Sequence, residues 1–200
     1  MLVVALAATG FASTATTERS MEQQAGHLYA NHDLAGATEV LRRGVREHPD
    51  SAQLHFMLGN ALMRSSDWRA AIAEYQNSAR LNSNHPDTYL NLGYAYYHIS
   101  EPRQAVQAWE TAARQSPNDA LIHATLAIGL LKAGAREEAI GEIARARRLD
   151  PGAFWRKTAE VDFRWDQRMR ADADQLLSYK QPTPEHSQRD LAEERGESIE

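Results

Sequence analysis

Eight histidines are the residues of this 200-residue chain best suited to metal or acid–base chemistry, and their spacing argues against both. No two of them fall four positions apart with a glutamate beside them, the arrangement that puts two imidazoles on one helix face around zinc. His48 and His85 each precede a proline and read as polar loop residues. His55 and His123 lie 68 positions apart (123 − 55), too far along any regular element to share one ion. With no cysteine, disulfides, thiolate metal sites and cysteine nucleophiles are excluded. No glycine-rich phosphate loop, Gly-x-Ser-x-Gly elbow or paired-glycine dinucleotide fingerprint occurs. Glu137 and Glu138 read as a solvated helix start. No catalytic residue, metal ligand, cofactor or small-molecule substrate is assigned, and an enzyme is not expected.

The elements that could position a site are set by a period. Ala37, Ala71, Ala105 and Ala139 are 34 residues apart, and Leu58, Leu92 and Leu126 keep the same step. A fixed period of this length means stacked helix–turn–helix units. Leu58 with Leu62, and Leu92 with Tyr96, are i, i+4 pairs on one helix face. Gly59 and Gly93 are small where two helices of a hairpin must approach closely. Tyr75, Trp109 and Ile143 follow the repeated alanines by four. Ser65-Ser66-Asp67, Ser100-Glu101-Pro102 and Ala133-Gly134 punctuate the units. Asp33, Asp50-Ser51 and Asn118-Asp119 are capping types at helix starts, and Ser100 or Glu101 precedes the first-turn Pro102. No run alternates at period two, so no sheet is expected.

The aligned copies read His55, Leu58-Gly59, Leu62, Ala71, Tyr75; then Tyr89, Leu92-Gly93, Tyr96, Ala105, Trp109, Pro117; then His123, Leu126-Ala127, Leu130, Ala139, Ile143, Pro151. A worn first copy reads Met21, Gln24-Ala25, Leu28, Ala37, Leu41, Pro49. This pattern resembles the tetratricopeptide repeat (TPR) family. The resemblance implies an all-α, right-handed α-solenoid of four repeats, at about 18–51, 52–85, 86–119 and 120–153 within residues 17–153, with a C-terminal capping helix.

It also implies a concave groove lined by the first helix of each hairpin. The aligned residues are Phe56, Asn60, Met63 and Arg64; Leu90, Asn91, Tyr94, Tyr97 and His98; and Thr125, Ile128, Leu131 and Lys132. Asn60 and Asn91 match asparagines that hold an extended peptide in relatives. Phe56, Leu121 and Thr125 stand where a terminal-carboxylate clamp needs bases, which argues against that clamp. Tyr94 and Tyr97 with Phe56 and Ile128 suggest an exposed aromatic groove, whose tyrosines could be truncated without changing the melting.

Of the net charge of −5, a net −4 falls in residues 181–200, so the body is nearly neutral. Nucleic acid, which selects a basic face, is not an expected partner. Arg145, Arg147 and Arg148 read as a solvated helix end. Leu2–Ala15 resembles the apolar region of a signal peptide, with Ser13 and Ala15 before the cut; no Lys or Arg precedes it. Residues 1–16 are therefore read as a truncated signal peptide or as a leader helix. Residues 154–180 carry Val161, Trp165, Met169 and Leu176 on a helical stripe, the expected cap. Residues 181–200 are expected to be disordered.

The function expected is a non-enzymatic scaffold binding another protein, as an extended peptide or a helix, in the groove. The setting is the periplasm or cell envelope if the head is a signal peptide, and the cytoplasm otherwise. Membrane association would come only through an uncleaved N-terminal segment. The alternatives are a cytosolic adaptor or co-chaperone, or a groove filled by the chain's own C-terminal helix.

Overall fold

A computed structural model describes residues 3–152 and 164–178, with side chains from Thr17 onward except Leu177. Helices α1 (Val3–Ala30), α2 (Leu34–Glu47), α3 (Ala52–Arg64), α4 (Trp68–Leu81), α5 (Pro86–His98), α6 (Pro102–Gln115), α7 (Ala120–Ala133) and α8 (Arg136–Leu149) pack as successive neighbours. Helix α9 (Gln167–Ser178) returns onto α7 and α8. Among the described residues there is no strand, and the fold class is the expected all-helical solenoid. The leader and the first helix of the stack are one continuous helix, α1. Phe154, Val161 and the tail 181–200 lie outside the described residues.

Side-chain caps start most of the helices. Asp33 accepts from the Gly36 N–H at 2.8 Å, Ser51 from Leu54 at 3.1 Å, Asp67 from Ala70 at 3.3 Å and Asp119 from Leu121 at 2.9 Å. His85, a plain loop residue by sequence, caps α5 through Nδ1 on the Thr88 N–H. At α6 Glu101 holds the cap position without a side-chain bond, and Pro102 needs no N–H partner there.

One backbone device closes every hairpin. His32, Ser66, Ser100 and Gly134, again 34 apart, have φ of 60°, 60°, 64° and 86°. The left-handed residue lets the next N–H reach back five residues, as in Asp67 N–H to Leu62 O (2.9 Å) and Ala135 N–H to Leu130 O (2.9 Å). Only the fourth copy supplies the glycine this conformation favours; a side chain there costs about 1–2 kcal/mol.

The seams between helices are small-to-large contacts. Ala37, Ala71, Ala105 and Ala139 are all fully buried. A Cβ on Gly59 would stand 2.6 Å from the Tyr75 ring, and one on Gly93 would strike the Trp109 indole. Trp109 is pinched from its other side by Gly129 of α7, whose Cβ would lie 2.6 Å from the ring. Its indole N–H donates to the Leu90 carbonyl at 3.0 Å, so this buried donor is satisfied. His55 and His123 are structural and equivalent. Their Nδ1 atoms each meet a glutamate, Glu74 and Glu142, at 2.6 Å, and their Nε2 atoms meet the Pro49 and Pro117 carbonyls. In the third copy Tyr89 and Ala108 replace the pair.

Candidate binding groove on the concave face

Asn91, Tyr94 and His98 are spaced by three and four on α5 and so share one face, with Tyr97 flanking them. Thr125 and Lys132 come to the same side from α7. Against this face lie residues 164–176, which bury Trp165, Met169, Ala173 and Leu176 in the core and add a set of specific polar contacts.

The Trp165 indole N–H donates to Tyr94 Oη at 2.7 Å. Thr125 Oγ1 donates to the Leu121 carbonyl at 2.7 Å, so its one proton is used. Across the 3.1 Å contact between them, Tyr94 therefore donates and Thr125 accepts. The result is a directed relay from Trp165 through Tyr94 and Thr125 to a backbone carbonyl. Asp172 is held at both oxygens, by the Tyr97 hydroxyl at 2.8 Å and by Lys132 Nζ at 2.9 Å. Burial, then the bond to Asp172, pushes the Tyr97 hydroxyl above the usual tyrosine range, so it remains a donor.

Arg164 donates to Asn91 Oδ1 at 2.6 Å and lies over the Tyr94 ring at 4.8 Å. Asn91 Nδ2 in turn donates to Asn60 Oδ1 at 2.8 Å, which also accepts from the Tyr75 hydroxyl at 2.8 Å. Asn60 thus ties α3, α4 and α5 to the returning segment. His98 Nε2 donates to the Arg164 carbonyl at 3.0 Å, while its ring stacks on Trp68 at 4.0 Å and 8°. Asp166 caps α9 through the Met169 N–H at 2.7 Å, which fits its start at Gln167. Arg168 lies over the Tyr97 ring at 5.5 Å. Among the described residues no group of three or more His, Cys, Asp or Glu is placed to hold a metal.

A family model for the TPR repeat matches residues 59–99, and a second, for the tetratricopeptide repeat, matches residues 90–154. The chain is a tetratricopeptide repeat protein. It resembles a crystal structure of MamA at 22% identity, over 72% of this chain and 81% of that one, with a TM-score of 0.64. It also resembles MamA residues 41 to the end from Desulfovibrio magneticus RS-1 at 17% identity, over 91% of this chain and 97% of that one, with a TM-score of 0.65. At such identities the likeness concerns the fold. No curated protein matches the chain. The tetratricopeptide repeat architecture supports a scaffold for protein–protein interaction.

In this tetratricopeptide repeat protein the residues expected to line one open groove divide into three sets. Asn60, Asn91, Tyr94, Tyr97, His98, Thr125 and Lys132 form the network just described. Phe56 turns toward the next unit, edge-on to the His85 ring at 4.8 Å. Met63 takes a 3.7 Å contact from the Tyr75 hydroxyl, and Leu90 is buried beside Trp109. Leu131 is half-buried, and Arg64 remains at the exposed rim.

The expected exposed aromatic surface is corrected: Tyr94, Thr125 and Ile128 are 0% exposed and Tyr97 4%. Two neighbours cause this. Tyr94 packs edge-on to Trp109 at 5.5 Å, and the returning segment lies over this face, with Arg164 and Trp165 on Tyr94 and Asp172 on Tyr97. Asn91 meets a guanidinium here, not a peptide backbone. The sequence reading missed Arg164, Asp166, Arg168 and Asp172. Asp172 carried a usable signal. It falls on the Trp165–Met169–Leu176 stripe, and a carboxylate on a buried stripe demands a donor or cation opposite.

Proposed function

We propose that this protein is a non-enzymatic scaffold whose concave face receives a helical segment of a partner protein, with α9 marking the seat. One observation carries the reading: α5 and α7 hold a capped helical segment, meeting the residues just before the helix at Tyr94 and His98 and the helix itself at Tyr97 and Lys132. Tyrosine, tryptophan and arginine dominate the contact, the residue types enriched where binding energy concentrates. A photo-crosslinker placed at Arg64 or His98 in the host should trap a partner segment. Cross-links confined to a convex position such as Arg103 would overturn the reading.

A second reading, that α9 permanently fills the groove as a cap, is favoured by the full burial of Met169 and Leu176. Deleting residues 154–200 separates the two. Tighter partner capture means a displaceable occupant, and aggregation means a cap.

The cell envelope is proposed as the setting, on the apolar run Leu2–Ala15 with Ser13 and Ala15. Mature protein lacking residues to about Ala15 is the expected mass; a mass that includes Met1 would favour a cytosolic adaptor. Among the described residues no helix is long and apolar enough to cross a membrane.

A further inference from the structure

We propose that the α5–α7 face is a receptor for a capped amphipathic helix that carries an acidic side chain seven positions after an aromatic N–H donor just before its cap, with Tyr97 Oη and Lys132 Nζ as the carboxylate subsite. The inference rests on the scaffold reading above, and α9 is its built-in stand-in ligand.

The chemistry of the subsite is specific. Asp172 is 8% exposed, and a carboxylate that deep requires both oxygens to be compensated. Tyr97 serves one oxygen and Lys132 the other. Among the described residues Asp172 is the carboxylate that both groups meet, so the subsite is matched to one acid. This differs from a basic terminal-carboxylate clamp: the bases that such a clamp needs are replaced by Phe56, Leu121 and Thr125, and the acid is met further along the groove.

The second determinant is the Tyr94 oxygen. Because Tyr94 spends its proton on Thr125, it presents only an acceptor to the groove. An indole N–H fits there; a phenyl ring leaves the acceptor unmet. Trp165 stands one residue before the capping Asp166, and Asp172 follows seven positions later within α9, so the donor precedes the helix and the acid lies on it. The Arg164 guanidinium, over Tyr94 and bonded to Asn91, adds a cation one residue before the indole.

The face also differs in composition from the seams. The seams between repeats are lined by alanine, glycine and leucine around Trp109 and Tyr75. The face under α9 adds hydroxyls, an amide, an imidazole and an ammonium to the apolar contact in which Met169 and Leu176 are buried. A tethered segment acts at an effective concentration near the millimolar range for short flexible linkers. An outside helix must therefore compete with α9, and it gains access when α9 is weakened.

The test uses the full chain with Trp165→Ala and Asp172→Ala, which removes the anchors of α9 and leaves the groove intact. The probe is a labelled peptide with the sequence of residues 164–178. It should bind this variant at least tenfold tighter than the unaltered chain. A peptide carrying Asp172→Asn should bind at least tenfold more weakly. Adding Lys132→Ala to the protein should abolish most of that Asp-versus-Asn difference, which a general loss of structure would not do.

No peptide binding to a variant with native helical signal would overturn the proposal. So would equal binding of the Asp and Asn peptides. If the double variant does not fold, Asp172→Asn alone in the full chain supports the same two-peptide comparison. Partner cross-links at Arg64 or His98 alongside equal binding of the two peptides would sink the recognition chemistry while leaving the scaffold reading intact.

Discussion

Trp109 and Tyr94 have ring centroids 5.5 Å apart and belong to two differently built regions. Trp109 lies in the seam between hairpins, gripped by Gly93 and Gly129, with its single polar atom satisfied inside its own hairpin. Tyr94 lies on the concave face, and its oxygen joins another repeat to a segment 71 positions away. The seam is specified by volume, which is non-directional and tolerant of which apolar atom fills it. The concave face is specified by donors and acceptors, which must match in sign and direction. Stability should therefore respond to size in the seam and to single atoms on the face.

The largest effect should come from Tyr94→Ala with Tyr97→Ala. An exposed groove would leave the melting unchanged. Buried rings of this kind cost about 3–5 kcal/mol each when truncated, and here an indole and a carboxylate also lose partners. A thermal melt within error of the parent would restore the open groove. Gly93→Leu should follow, at about 3 kcal/mol, because even its Cβ collides with a ring held from behind by Gly129. An unchanged melting temperature would show that the seam can open.

Tyr94→Phe isolates one oxygen. It keeps the ring against Trp109 and breaks the relay, so about 1–2 kcal/mol is expected in chemical denaturation. The same experiment on Trp109→Phe, which loses ring volume as well, should cost more.

Alkaline pH probes the face through its phenols. Burial raises Tyr75 and Tyr97 above the ordinary tyrosine value of 10.0 and takes Tyr29 up to about 12. The folded state thus holds the neutral phenol more tightly than the unfolded chain does. That stability is complete below pH 10 and declines as pH rises from there toward the folded values. Denaturation midpoints across pH 8–11 should fall at the alkaline end, and Tyr97→Phe should flatten the fall. A flat profile in the parent would contradict the burial of these hydroxyls.

The smallest effects belong to the hairpin turns. Ser66→Gly and Ser100→Gly relieve a left-handed side chain worth about 1–2 kcal/mol, offset by the extra freedom glycine gives the unfolded chain, about 0.4–1 kcal/mol. A net gain under about 1 kcal/mol is expected for each, with Gly134→Ser moving the other way. Melts of the three variants check the sign.

The repeat architecture was legible because it is local and periodic. The alanine ladder, Gly59 facing Tyr75, Gly93 facing Trp109 and the capping Asp33, Ser51 and Asp119 each act within about one 34-residue unit. Their spacing alone states which face meets which. The grip of Gly129 on Trp109 was not legible, since it joins two copies and breaks the alignment: the third copy has Ala95 there and the second Ala61. The left-handed residues were hidden for a similar reason, because only Gly134 shows the composition that the backbone prefers.

On the concave face, the sequence by itself placed Asn91, Tyr94, His98 and Lys132 on first helices, and put Trp165 and Met169 on one stripe. Only the tertiary structure decided that these two sets meet. Periodicity reports which side chains share a face within an element, because the helix repeat is a property of the local backbone. It carries no information on which distant segment supplies a matching charge. That depends on the direction in which the chain returns after the fourth hairpin, and on donors and acceptors coming within 3 Å of one another across more than seventy residues of chain.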